Sequence, residues 1–285
     1  MSVAIVTDST AYLGEDVEGA EEVRVVPLQV VMGNRTGTDG VDVTSAEVVE
    51  ALLARQSVTT SRPSPGQFSQ VYQELLDGGA DHVVSIHISS RLSGTWESAV
   101  LASQDFGHGV VRVVDSRSTG GALGFAVRAA LLKARSGADA AKVQEAAVHA
   151  VDTTRTYFYV DKLEYLRRGG RIGMASAMVG TSLAVKPILQ VIDGQIAPLE
   201  KVRTSSKALA RLAQLAVDAS VGHRVDLAVH HMAAAERAEA LGEQLRAEIP
   251  TLRRLNVTEI STVVGAHMGP GAVGIAVLRL DPSDD

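Results

Sequence analysis

One pattern constrains this chain above all others: a short apolar, β-branched run, then a cluster of hydroxyls, then a stretch of helix formers. It is clearest between Val83 and Ala102. Val83 to Ile88 reads as a buried strand. Ser89, Ser90, Ser93 and Thr95 follow, with Gly94 to let the backbone turn, and Trp96 to Ala102 reads as a helix. The pattern recurs along the chain. Val3 to Val6 closes on Thr7-Asp8-Ser9-Thr10. Val110 to Val114 closes on Asp115-Ser116-Arg117-Ser118-Thr119-Gly120-Gly121, ahead of an Ala-rich helix over 122–135. Further helices are expected over 45–55, 67–76 and 139–152, with a β-rich run over 23–31 followed by a turn over 33–37. Strands alternating with helices predict a parallel sheet with helices on both faces.

Such a sheet gathers the carboxyl ends of its strands along one edge, where open parallel sheets bind ligands. Three of these ends carry Ser, Thr or Asp. Thr59 to Ser64, held extended by Pro63 and Pro65, supplies a fourth polar segment. A hydroxyl-rich loop running into a helix N-terminus suits an anionic group, because free N–H groups and the helix dipole both favour negative charge. The plainer alternative makes Ser93 or Thr95 a helix N-cap. The convergence of four polar segments favours ligand contact. Asp8 and Asp115 read as acceptors that organise loops, and His87, inside a strand pattern, reads as structural.

A boundary is expected near Thr153 to Tyr157, dividing 1–154 from 155–285. Beyond it come a strand at 157–160, a short helix at 163–168, the basic turn Gly169-Gly170-Arg171-Ile172-Gly173, and a helix through about Leu183. Asp193-Gly194-Gln195, flanked by two apolar runs, signals a hairpin. Amphipathic helices over 205–219 and 233–248 alternate with strands at 225–229 and 257–261, and a last strand covers 273–280. The expected fold class is α/β with two domains. An N-terminal parallel sheet has helices on both faces, and a C-terminal α/β domain has a mixed sheet.

Composition narrows the function. Of 285 residues 46% are hydrophobic but only 4% aromatic, so any large cavity must be lined mainly by Ala, Val, Leu, Ile and Met. The formal net charge of −6 argues against a nucleic-acid partner. The chain has no cysteine, which excludes disulfides, thiolate metal sites and a cysteine nucleophile. It has no P-loop sequence for nucleotide phosphates. No apolar run reaches the ~20 residues of a membrane span, and the start lacks a signal-type core; a cytoplasmic protein with at most transient membrane contact is expected. His230 and His231 end a strand with no carboxylate or cysteine at ligand spacing, so no metal is expected. From spacing alone Arg171 reads as a solvated charge and His267 as a surface histidine in a glycine-rich turn. An acyl hydrolase would need Ser93 as nucleophile and His267 as base. Sequence order permits that pair, but the Gly-x-Ser-x-Gly elbow is absent.

Taken in order, the motifs resemble those of the DegV family of bacterial fatty-acid-binding proteins, which includes the acyl-carrier subunit of the fatty acid kinase. The resemblance runs essentially end to end. It rests on Thr7-Asp8-Ser9, Asp39-Gly40-Val41-Asp42, Thr60-Ser61-Arg62-Pro63-Ser64, Ser85 to Thr95 and Val114-Asp115-Ser116-Arg117-Ser118. In the second half it rests on Leu163-Glu164-Tyr165-Leu166-Arg167-Arg168-Gly169-Gly170-Arg171-Ile172 and on Gly265-Ala266-His267-Met268-Gly269-Pro270-Gly271.

The resemblance implies a carrier, not an enzyme and without a cofactor. It would enclose a long-chain fatty acid between its domains and present the carboxylate to a separate ATP-dependent kinase, giving an acyl phosphate. The implied carboxylate-binding positions are Thr60, Ser61, Ser93 with Gly94 and Thr95 beside it, and His267. Arg171 is implied to meet the kinase or the carboxylate network. Family members often have Gln where this chain has Arg62, which alters the charge beside the head group. His267 would hold the carboxylate as imidazolium or accept its proton as neutral imidazole. Met174, Met178 and Leu183, at near-helical spacing, read as core or as a tail-lining face. Roughly fourteen buried methylenes at about 0.8 kcal/mol each give on the order of 11 kcal/mol before ordering costs. The tail would thus supply affinity, and the polar groups the choice of head group.

Overall fold

The computed structural model describes residues 2–13, 17, 19–178 and 185–281. Among these, three sheets form. The first is the expected parallel sheet, in the order β2-β1-β6-β7: β1 is Val3–Asp8, β2 Arg24–Val26, β6 His82–His87 and β7 Val111–Asp115. The second is a three-stranded antiparallel sheet of β3 (Gln29–Met32), β4 (Arg35–Thr38) and β5 (Val58–Ser61), with β3 in the middle. The third, in the order β10-β9-β8-β13-β11-β12, is mixed, as expected. It comprises β8 (Thr154–Tyr159), β9 (Lys186–Ile192), β10 (Gln195–Val202), β11 (Arg224–His231), β12 (Leu252–Glu259) and β13 (Val273–Leu280). Only β11 and β12 pair in parallel.

The antiparallel three-stranded sheet departs from expectation, and Pro27 explains part of it. A proline has no N–H for a ladder, so the apolar run over 23–31 breaks there. Arg24–Val26 joins the parallel sheet, while Gln29–Met32 turns away to pair with β4 and β5. The segment read as a turn over 33–37 is mostly β4, and the first half of the extended Thr59 to Ser64 segment, Thr59 to Ser61, falls within β5.

The helices are α1 (Ser45–Leu53), α2 (Pro65–Asp77), α3 (Thr95–Ser103), α4 (Gly120–Arg135), α5 (Ala140–Thr153), α6 (Glu164–Arg168), α7 (Ser205–Ser220), α8 (Ala235–Glu248) and α9 (Thr262–Met268). Beyond α6 the expected longer helix is a 3-10 segment over Gly173–Met178, and the rest of that expectation, Leu183 included, lies outside the described residues. The helices α2 and α3 cover one face of the parallel sheet; α4 and α5 lie between the parallel and mixed sheets; α7 and α8 cover the far face of the mixed sheet. The burial of α4 follows. From Gly120 to Leu131 it is buried on nearly every side, as a helix between two sheets must be. Gly124 makes this possible: a Cβ there would meet the Tyr12 carbonyl oxygen at 1.7 Å.

The three-stranded sheet and α1 pack on α9, in a core where Leu28, Val30 and Val48 meet Val263, Val264 and Met232. A buried acceptor fixes the contact, because Asp39 Oδ1 receives both the Thr262 N–H (2.9 Å) and its hydroxyl (2.6 Å). Another buried carboxylate organises the parallel sheet's edge. Asp8 accepts from the Thr10 N–H and hydroxyl, from the Ile88 N–H at 2.9 Å and from His87 Nδ1 at 3.1 Å. Replacing Asp8 with Ala strands several buried donors at once, each costing about 1–3 kcal/mol. The variant should lose about 3 kcal/mol or more, measured as a lower urea midpoint with an unchanged slope. A midpoint like the parent's would show that the network adds nothing.

Candidate ligand-binding site

A cavity of about 430 Å³ opens where the three sheets meet. Its walls are apolar: Ile88, Leu92, Phe158, Leu166, Val191, Ile196, Ile260, Val263, Val264 and Met268. Polar groups gather at one end, where Thr60, Ser61, Arg62, Ser93, Gly94, Arg171 and His267 all contribute to the lining. The structure therefore brings six of the seven expected site residues to one place. Thr95 stands behind them, fully buried, with its hydroxyl 2.9 Å from Ser93 Oγ.

The hydroxyl loop is held by its neighbours. Ser89 N–H donates to the Ser118 carbonyl (2.9 Å), and Ser89 Oγ donates across to the Gly194 carbonyl (2.8 Å) at the tip of the β9–β10 hairpin. Asp115 accepts from the hydroxyl of Ser90 at 2.6 Å. So the aspartate at the end of β7 organises a loop, as its position suggested. The cap of α3 is Gly94 and makes no side-chain hydrogen bond. Ser93 Oγ instead accepts from the Thr95 N–H at 3.3 Å. Thr95 is therefore no N-cap, whereas Ser93 meets the first N–H of α3 and, with Gly94, also lines the polar end of the cavity.

His267 comes from the last turn of α9, and its Nε2 lies 2.8 Å from Thr60 Oγ1 on β5. Burial, with the Arg171 guanidinium adding to it, pushes its pKa down to about 4, so the imidazole is neutral at pH 7 in the ligand-free protein. Arg171 is not a solvated charge. It is half-buried, with Nε donating to the Leu92 carbonyl (2.9 Å) and Nη1 to the Gly169 carbonyl (2.6 Å). Gly169 is a site residue that sequence reasoning passed over as mere flexibility. Its φ of −74° suits any residue, but a Cβ would lie 2.0 Å from His267 Nδ1. The glycine is there for the ring. Arg62 lies across Gly94 at the rim, within 3.4 Å of its carbonyl and 3.3 Å of the Glu97 carboxylate.

The hydrolase pairing does not form: the nitrogen that a Ser93 nucleophile needs is bonded to Thr60. A Ser-His-Asp chain does exist elsewhere. Tyr72 donates to Ser85, Ser85 meets His87 Nε2 at 2.7 Å, and His87 meets Asp8. All three triad-like residues are fully buried and none lines the cavity, so the chain is structural. His230 is likewise committed, its Nε2 accepting the Gly121 N–H at 2.8 Å. Among the described residues no cluster of His, Asp or Glu has the makings of a metal site. Met174 is 47% exposed and does not line the cavity; the Met178 side chain and Leu183 lie outside the described residues.

Comparison with known proteins gives a consistent picture. The profile of a family described as "Uncharacterised protein, DegV family" matches residues 2–280. A DegV domain-containing protein of Streptomyces coelicolor is 48% identical over 275 residues, spanning 96% of this chain and 98% of the relative. The protein DegV of Bacillus subtilis is 36% identical over 278 residues, 96% of this chain and 98% of its own length. Among solved structures, one describing fatty acid binding by a DegV family protein from Thermus thermophilus superposes with a TM-score of 0.92 at 34% identity, covering 98% of this chain and 100% of that one. That of DegV from B. subtilis, described as a fatty acid binding protein, gives 0.87 at 34% identity with coverage of 98% and 100%.

Two expectations follow from the geometry. Gly169→Ala should destabilise the protein by about 1–3 kcal/mol, the usual range for overpacking, and in a His267→Ala background the same change should cost close to nothing, because the obstacle is gone. Equal costs in both backgrounds would mean that the ring is not what requires the glycine. The second concerns acid. His267 has a folded pKa of about 4 against 6.5 for the free side chain, so between those values the unfolded chain binds more protons. Stability of the ligand-free protein should fall as pH drops from about 6.5 to about 4, by up to about 3 kcal/mol for this group. His230, also held near 4 by burial, acts in the same direction. In His267→Gln, urea midpoints across this range should lose roughly half of that slope; a slope equal to the parent's removes His267 from the account.

Proposed function

The chain belongs to the DegV family, and from that premise we propose that it binds a long-chain fatty acid in this cavity and presents its carboxylate to a separate ATP-dependent kinase. The observation that carries the reading is one cavity walled mainly by apolar side chains, with Thr60, Ser61, Ser93, Arg171 and His267 gathered at one end. The alkyl chain lies among Leu, Ile, Val and Phe side chains, where each buried methylene contributes about 0.8 kcal/mol. The carboxylate meets the hydroxyls of Ser93, Thr60 and Ser61, the start of α3, and the positive field of Arg171. These groups favour the charged form of the head group and offset the penalty of burying it. His267, neutral before the ligand arrives, gains a negative neighbour that raises its pKa, so the carboxylate and the imidazole come to share a proton-accepting environment. The solved structures that describe fatty acid binding have this fold.

Presentation to a second protein is supported by where the polar end lies. Ser61 and Arg62 are exposed, and Ser93 and Gly94 are partly so, so the head group lies at a rim while the chain is enclosed. We place Arg171 and Arg62 at that rim as the contacts a kinase would meet, and the setting as cytoplasmic.

Organic extraction of purified protein followed by mass spectrometry should release a long-chain fatty acid in near-stoichiometric amount. After delipidation, Ser93→Ala and His267→Ala should keep the parent's circular dichroism but bind fatty acid at least about tenfold more weakly, equivalent to about 1.4 kcal/mol. Protein that yields no lipid and takes up none that is added would end the carrier reading.

A further inference from the structure

Resting on that reading, we propose that the cavity is built for acids with a second oxygen on the chain, namely hydroxy or keto long-chain fatty acids. A cavity for a plain alkyl chain has no use for polar groups beyond the head group. This one has them. Thr119, just before α4, and Thr156, on β8, line the cavity in addition to the expected head-group residues.

Their surroundings single them out. Thr119 occupies the N-cap position of α4 but makes no cap hydrogen bond, and its Oγ1 is buried without a partner. Thr156 Oγ1 has a 3.4 Å contact with Ser118 Oγ, at the long limit of a hydrogen bond. His230, the third polar side chain here, accepts from Gly121 through Nε2, while its Nδ1, like Thr119 Oγ1, is buried without a partner. A buried hydroxyl with no partner is desolvated without return. An alkyl ligand keeps it so, whereas an oxygen on the chain completes it.

Space is provided beside them. Thr156 pairs across the sheet with Ala276, which pairs in turn with Ala228; next along, Phe158 pairs with Gly274, which pairs with His230. Ala276 and Gly274, both in the cavity lining, therefore leave the middle of this face with nothing larger than a methyl group.

An independent observation points the same way. A second cavity, of about 400 Å³, shares Thr156 and Val191 with the first and is lined beyond them by Ser116, Ser118, Thr154 and Arg155. An oxygen at Thr156 thus borders a polar compartment instead of hydrocarbon.

The test uses delipidated full-length protein and displacement of a fluorescent fatty acid by stearate, 10-hydroxystearate and 12-hydroxystearate. At least one hydroxystearate should bind the parent as tightly as stearate or more tightly, despite the added cost of removing its hydroxyl from water. Thr119→Val and Thr156→Val keep the side-chain shape and remove only the hydroxyls. Together they should weaken that hydroxystearate about 5- to 10-fold and leave stearate unchanged. If the ratio of hydroxystearate to stearate affinity is the same in the parent and the double variant, the threonines serve a bound water or the fold, and the proposal is overturned. Should the double variant fail to fold, the parent decides alone: a preference for stearate over both isomers by more than tenfold overturns it. Failure of stearate itself to bind the parent is a different result, and overturns the fatty-acid reading beneath it.

Discussion

A helix that is apolar on every side has one stable place in a protein of this size, between two sheets. The α4 helix is such an element from Gly120 to Leu131 but for Arg128, whose buried charge pairs with Asp226 on β11, and most of the architecture follows from where it must go. Its burial brings the parallel and mixed sheets to either side of it, and Gly121 at its start lets the mixed sheet approach closely, since a Cβ there would lie 2.4 Å from Ala228 Cβ and 2.6 Å from His230 Nε2. The cavity is the consequence: it lies at the end of α4 where the two sheets and the smaller antiparallel sheet cannot close completely. A cavity made this way is apolar by default, because it is a part of the core that was left unfilled. It becomes polar only where loops from the strand ends reach it.

Those loops were legible in the sequence because they are local. A β-branched run followed by serines and threonines declares a strand end within a dozen residues, and the alternation with helices declares a parallel sheet. The hairpin at Asp193-Gly194 was legible for the same reason, since both residues take the positive φ that such a turn needs. The partner of His267 was not. Thr60 is 207 positions away, and no period or spacing connects them; only the motif resemblance placed both at one site. Gly169 was hidden differently. Its reason for being glycine is the approach of a ring from another helix, while its own backbone conformation is ordinary. The three-stranded sheet escaped because its strands are short and mostly half-buried or exposed, so they carry little apolar alternation, although Pro27 marks the break that creates it.

The pair of triad-like arrangements makes a general point about reading chemistry from residue types. Asp8, His87 and Ser85 have the order and the distances of a catalytic relay, and they are inert because nothing can reach them. Ser93 and His267 border a cavity with the right residue types, and their hydrogen bonds go to Thr95 and Thr60 instead of to each other. Access and mutual geometry each exclude one of the two. What the described residues place at the cavity is a set of donors suited to holding an anion.

The manner in which Arg171 is held bears on what such a site can do with a carboxylate. A guanidinium free to close on both oxygens would form a strong bidentate pair, and a carboxylate so clamped is a poor nucleophile because its lone pairs are engaged. Here Nε and Nη1 already donate to the Leu92 and Gly169 carbonyls. The residue therefore contributes charge to the site from a fixed position, and that Nε–Nη1 edge is closed to the ligand. The hydroxyls of Ser93 and Thr60 are weaker partners than a fork of two charged donors. In the proposed complex a carboxylate held in this way would stay ionised and oriented with its oxygens reactive, and the tail, among Ile, Leu and Val side chains, would supply the affinity that a looser grip on the carboxylate forgoes. Separating affinity from head-group contact is what a protein must do if it is to hold a lipid firmly while another catalyst works on its exposed end.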